Sequence, residues 1–254
     1  MNYPIDKIVS QAQGSDDPTM LLLHGWGGDE TTLAALARPL SAQRHVIRLA
    51  LPGFGKSPEP SEPWGSLEYA EAVAAWMDHE RLKGVDLVGH SHGGRVAIRL
   101  AAIRPDLVGR LALMGSAGLP PRRSVSLKLK TLYGKLLKIV AGIVGGRFAA
   151  TMEVRRQKLG SADWKAASPV MRGTLRRVIP EDLSLEMRSI QAATLLIWGS
   201  KDTATPLWMG ERMRQLINGS RLEVLEGAGH YAFLERTGEV VSLLWKHFGL
   251  TKAW

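Results

Sequence analysis

Short apolar runs alternate along the chain with longer segments in which apolar positions recur every three or four residues. Residues 20–23, 45–49, 85–88, 111–114, 194–198 and 221–225 form the short runs, each bounded by Gly, Pro or Asp. Runs of this length fit strands of a parallel sheet that is covered on both faces. The intervening segments 30–42, 67–81, 94–103, 206–217 and 239–248 are long enough for amphipathic helices, and residues 5–11 supply a further strand at the N-terminus. This alternation predicts an α/β fold, an open and mostly parallel sheet with right-handed crossovers.

The rhythm breaks after Met114. From residue 118 to about 182 there is no strand signal. Val125, Leu129, Leu132, Tyr133, Leu136, Leu137 and Val140 instead mark one face of a helix. Pro120-Pro121 and Ile179-Pro180 punctuate the two ends. The expected organisation is therefore a core in two parts, 1–117 and 183–254, with a helical cap, 118–182, inserted between two strands. The cap holds 14 Lys and Arg against 4 Asp and Glu, while the rest of the chain holds 19 against 20. The net charge of +9 thus belongs to the insert. That argues against a nucleic-acid binder basic throughout. A basic lid admits two sharper readings beside a solvated face: attraction of anionic substrates, and peripheral docking on an anionic membrane through the 125–140 helix.

Chemistry enters with Gly89-His90-Ser91-His92-Gly93, a G-x-S-x-G pattern between a predicted strand and a predicted helix. A strand-to-helix turn lifts the central serine clear of the sheet in a strained conformation. The pattern alone is weak evidence, and this context gives it meaning. A serine hydroxyl needs a base oriented by an acid. Asp202 and His230 each follow a later strand, giving the chain order Ser91, Asp202, His230. Asp202 also reads as a helix cap, and Asp182 is the weaker substitute for the acid. His24-Gly25-Trp26-Gly27-Gly28 follows the 20–23 strand, so the backbone N–H groups of Trp26 and His92 fall where an oxyanion hole is needed. Trp26 suits the pocket mouth or simple packing, and His24 and His90 read as structural. His90 and His92 have a spacing that metal sites use, but no third ligand is near in sequence. Gly53-Phe54-Gly55-Lys56-Ser57 fails as a phosphate loop, because Ala50 stands where its first glycine belongs, and reads as a tight turn.

With 24–28, 51–57, 89–94, 198–206 and 227–235 in this order, the chain resembles the serine hydrolases of the α/β-hydrolase fold. The resemblance implies an eight-stranded, mostly parallel sheet and esterase-like acyl transfer without cofactor or metal, with a small-molecule ester as substrate. C–C bond hydrolysis by the same triad is the alternative it brings, and a non-catalytic ligand-binding member is a further one. Two departures stand out: little chain precedes residue 20 for the family's first strands, and His92 replaces a more usual apolar residue. Length and composition agree with a globular chain of 254 residues, 45% hydrophobic. Zero cysteines excludes disulfides and a thiolate nucleophile. With no leader-like start and no apolar run near 20 residues, the expectation is a soluble cytoplasmic protein.

Overall fold

A computed structural model describes residues 3–15, 17–121 and 162–250. Among these residues seven strands form one sheet: β1 (Ser10–Gln13), β2 (Met20–Leu23), β3 (Val46–Leu49), β4 (Val85–His90), β5 (Val108–Met114), β6 (Ala193–Gly199) and β7 (Arg221–Leu225). Their spatial order is β1-β3-β2-β4-β5-β6-β7. All neighbours run parallel except the edge pair β1 and β3. The α/β class is as expected, and the eight strands implied by family resemblance are seven among the described residues.

Apolar continuity in the strands follows from burial on both faces. Leu21, Leu23, Leu111, Leu113, Leu196 and Trp198 point to one layer. There they meet α2 (Ser66–His79), α3 (His92–Ile103) and α7 (Leu207–Leu216), through residues such as Tyr69, Val96 and Met213. Met20, Leu22, Ala112, Leu195 and Ile197 point to the other layer. That layer is closed by α1 (Ala34–Leu40), α8 (Ala232–Glu235) and α9 (Thr237–His247), through Leu36, Phe233 and Leu244. Between β5 and β6 the described residues form α4 (Ala162–Ala166), α5 (Pro169–Val178) and α6 (Ser184–Ser189). Ser168 caps α5 by accepting from the Met171 amide at 3.1 Å, with Pro169 in the first turn. The predicted 125–140 helix lies outside the described residues.

The strand expected at 111–114 begins at Val108, and two larger displacements have clear physical reasons. The N-terminal strand starts at Ser10 rather than at residue 5, because residues 5–7 turn as a short 3-10 helix that sinks Tyr3 and Ile8 into the core. All four residues of β1 are exposed, so no apolar pattern marks it. Helix α1 starts four residues late. Asp29 Oδ1 accepts from the Thr31 amide at 2.8 Å, and Thr32 Oγ1 accepts from the Asp29 amide at 2.9 Å, so side chains take over the backbone there.

The order reverses at β2. The chain leaves it toward β3 on one side and returns as β4 on the other, and the carboxyl ends of strands at such a switch point border a crevice. Leu23 pairs with Gly89, so the turns after β2 and β4 lie side by side. Gly93 makes this approach feasible: a Cβ there would stand 2.3 Å from the Leu23 carbonyl oxygen and 2.5 Å from that of His24. Both obstacles are backbone and cannot swing away. Gly93→Ala is expected to cost at least the roughly 1–3 kcal/mol of core overpacking. For a chain of this size that lowers Tm by roughly 3–10 °C in a calorimetric scan; an unchanged Tm would contradict the contact.

Candidate active site

Ser91 sits between β4 and α3 with φ 51° and ψ −111°, one of two non-glycine residues with positive φ among those described. Such a conformation costs about 1–3 kcal/mol unless the surroundings hold it. The Ser91 amide donates to the Met114 carbonyl at 3.1 Å, and its carbonyl accepts from Arg95 and Ala117 at 3.2 and 3.0 Å. The elbow is thus pinned to β5 and to the helix it opens. Gly25, in the turn after β2, packs directly on it: a Cβ on Gly25 would lie 3.2 Å from Ser91 Cβ. Trp26 and Ser91 border the same two cavities, of about 220 and 400 Å³. His92 is the first residue of α3, and the amides of a first turn have no intrahelical acceptor.

Asp202 and His230 come together from the loops after β6 and β7. His230 Nδ1 lies 2.8 Å from Asp202 Oδ2. The Asp202 side chain is fully buried, and His230 is largely so. The other carboxylate oxygen, Oδ1, accepts from the Ala204 and Thr205 amides, both at 2.9 Å. One oxygen therefore orders the loop while the other holds the imidazole. The helix-cap reading of Asp202 survives only as this local turn, since α7 begins later, at Leu207. Although burial opposes ionisation, the His230 and Thr205 hydrogen bonds together hold the Asp202 carboxyl below its usual range. Asp182, by contrast, is spent on the Ser184 amide and hydroxyl at the surface.

With Nδ1 on Asp202, His230 borders the 400 Å³ cavity that Ser91 also borders. No hydrogen bond joins Ser91 Oγ to His230 in this structure. Catalytic hydrogen bonds are often long in ligand-free enzymes and tighten on binding.

Thr205 was not singled out from sequence. Its hydroxyl reaches Asp202 Oδ2 at 2.8 Å, the Gly115 carbonyl at 2.8 Å and His230 Nδ1 at 3.3 Å. The three-residue spacing from Asp202 was the available signal, since Asp often accepts from a hydroxyl or amide three residues on.

Residues 18–237 match the family model described as alpha/beta hydrolase fold. The chain belongs to this family. A pimeloyl-[acyl-carrier protein] methyl ester esterase of Neisseria meningitidis serogroup A is 31% identical over 251 residues, covering 89% of this chain and 75% of its own length. A solved structure of a membrane phospholipase A, described as a bacterial virulence factor, is 26% identical with a TM-score of 0.73, covering 96% of this chain and 87% of that one. The esterase of Thermogutta terrifontis shares the fold at 22% identity and a TM-score of 0.71, over 94% and 92% of the two chains. Among the described residues of this alpha/beta hydrolase, no helix is long and apolar enough to cross a membrane.

Three further histidines of the hydrolase, His24, His90 and His92, frame the site without bonding to Asp202. Leu51 N–H donates to His24 Nε2 at 3.0 Å, leaving the proton on Nδ1, which donates to the Gly25 carbonyl at 2.7 Å. His24 thus ties the turn after β2 to the turn after β3. That second turn is closed by Ser57, whose hydroxyl donates to Ala50 O at 2.7 Å, as a tight turn requires. His90 Nε2 donates to the His230 carbonyl at 3.1 Å, and its ring lies 4.8 Å from that of His230. His92 sits among Trp26, Phe54 and Tyr69, with ring centroids 4.9–5.9 Å away. His90 and His92 therefore occupy different aromatic clusters, despite their spacing. Trp26 both packs, at 4.9 Å from the Phe54 ring, and lines the cavities.

Burial pulls the pKa of all three histidines down, to about 3 for His90 and well below the ordinary value for His92. Folded pKa values below the unfolded one mean that the unfolded chain binds more protons in between. Stability from these groups is therefore full above about pH 6.5 and declines as pH falls. Each contributes a slope of at most about 1.4 kcal/mol per pH unit, confined to the range between its folded pKa and that point. Urea unfolding at pH 7 and pH 5 should show the loss, with proton uptake on unfolding at pH 5; equal stability at both would contradict three neutral buried imidazoles.

Proposed function

We propose that this protein is a serine esterase that cleaves carboxylic esters through an acyl-enzyme on Ser91. The observation that carries the reading is a His230 held by Asp202 and bordering one cavity with a serine at left-handed φ. The identity of the Neisseria relative, itself named for a methyl ester esterase activity, supports an ester over other acyl derivatives.

In this reading Ser91 Oγ attacks the acyl carbon while His230 Nε2 takes its proton. Asp202 keeps the opposite proton on Nδ1 and stabilises the imidazolium. The amides of Trp26 and His92 donate to the oxyanion. Collapse of the tetrahedral intermediate breaks the acyl–oxygen bond, and His230 returns the proton to the departing alcohol. Water then repeats the sequence on the acyl-enzyme, releasing the acid and free Ser91. Every step uses groups of the chain and water.

A fluorophosphonate probe should label wild type at one residue, Ser91. Ser91→Ala should abolish both labelling and hydrolysis of short p-nitrophenyl esters. Equal turnover by wild type and Ser91→Ala on every acyl length would end the proposal. Turnover of a dienoic diketone with no ester activity would favour the C–C bond alternative.

Thr205→Val is expected to lower kcat about 10- to 100-fold with little change in KM, the worth of one hydrogen bond to a charged group. A kcat within twofold of wild type would remove Thr205 from the charge network.

A further inference from the structure

Arg95 stands at the end of the first turn of α3, its amide bonded to the Ser91 carbonyl, and opens a stripe of arginines along that helix. Arg99 continues the stripe one turn further. The two arginines are treated differently by their surroundings. Arg99 is paired with Glu186 and donates from Nε to Ser66 Oγ at 3.3 Å. Arg95 is only 5% exposed, yet it forms no ion pair among the described residues. Nη1 donates to the Val178 carbonyl at the end of α5. Nε is buried without a partner. Glu181 is the carboxylate that acts on Arg95 from beyond ion-pair distance; its Oε1 accepts from the Ser66 amide at 2.9 Å, and its Oε2 is buried without a hydrogen-bond partner.

Glu181 thus supplies charge to Arg95 without direct ion-pair contact, and a buried guanidinium so placed leaves room for a closer anion. Capping α5 through one carbonyl uses one of its donors and needs no full charge. Burial lowers the Arg95 pKa to about 10, so the guanidinium stays protonated at neutral pH. It borders the 220 Å³ cavity, as do Ser91 and His92. Leu119, Leu175 and Met209 make the cavity apolar elsewhere. His92 Nε2 is a second buried polar atom there without a partner. Asp163 also borders the cavity, but it is exposed and its field is screened by solvent and salt.

We propose that Arg95 is the counter-ion for a carboxylate at the far end of the acyl group, making the substrates half-esters of short dicarboxylic acids. This deepens the serine esterase reading and rests on it. Ester chemistry would occur at Ser91, the methylene chain would lie against Leu119, Leu175 and Met209, and the distal carboxylate would meet the guanidinium. The volume of the cavity, about 220 Å³, limits the acyl chain to a short one.

The test compares p-nitrophenyl hydrogen glutarate with p-nitrophenyl valerate. Wild type should favour the glutarate in kcat/KM by about 10- to 100-fold, the worth of one charged hydrogen-bonded pair. Arg95→Met should erase that preference. Equal or better turnover of valerate by wild type overturns the proposal, as does a glutarate preference that survives in Arg95→Met. Because Arg95 also holds α5, the variant can fail to fold, so a wild-type arm stands beside it. Free glutarate should raise Tm and slow fluorophosphonate labelling where butyrate at equal concentration does neither, and indistinguishable effects of the two acids overturn the subsite. Ester turnover without any glutarate preference sinks the subsite and leaves the esterase. Glutarate-specific stabilisation without turnover of any ester does the reverse.

Discussion

The contact between the turn after β2 and the turn after β4 is the constraint on which the rest of the site depends. Parallel pairing of Leu23 with Gly89 brings the two turns to one rim of the sheet. Two residues without side chains allow the contact: Gly93 lets backbone touch backbone, and Gly25 makes room for the His90 ring and Ser91 Cβ. Ser91 tolerates its left-handed conformation because the surrounding bonds over-determine it: β5 holds its amide, α3 its carbonyl, and the β2 turn covers its flank. A looser junction would let the serine relax into an ordinary turn.

Around that junction, burial and polarity are in unusual tension. His90 Nδ1, His92 Nε2 and Arg95 Nε are all buried without partners, although most buried polar atoms in folded proteins are satisfied. They cluster on the short segment from 90 to 95. Their cost is tolerated where fixed dipoles in a low dielectric can act on a bound molecule, while in a plain structural core the same atoms would have been replaced by apolar ones. The two histidines stay neutral because they are buried, so the positive charge of this segment is concentrated on Arg95.

How much of this could be read from the chain depends on how local each feature is. The elbow was legible because its requirements, small residues on both sides of Ser91 and a strand before a helix, fall within a few positions. Asp202 and His230 were legible because each directly follows an apolar strand. Thr205 and Arg95 were not, since their roles come from groups far away in sequence: Gly115 and His230 for one, Val178 and Glu181 for the other. Strand β1 was displaced because exposed residues carry no burial pattern, and α1 because the Asp29 turn competes with helix over a segment whose periodicity alone looks helical. The basic 125–140 segment, with its membrane and substrate readings, lies outside the described residues.

Trp26 carries a consequence of its own. Its indole stands in the walls of the 220 and 400 Å³ cavities and of a third, of about 300 Å³, that runs toward Phe54 and Met171. Asp163 is the other residue that borders all three. Asp163 is exposed and Trp26 is the bulkier of the two, so trimming the indole would enlarge three neighbouring spaces with one change.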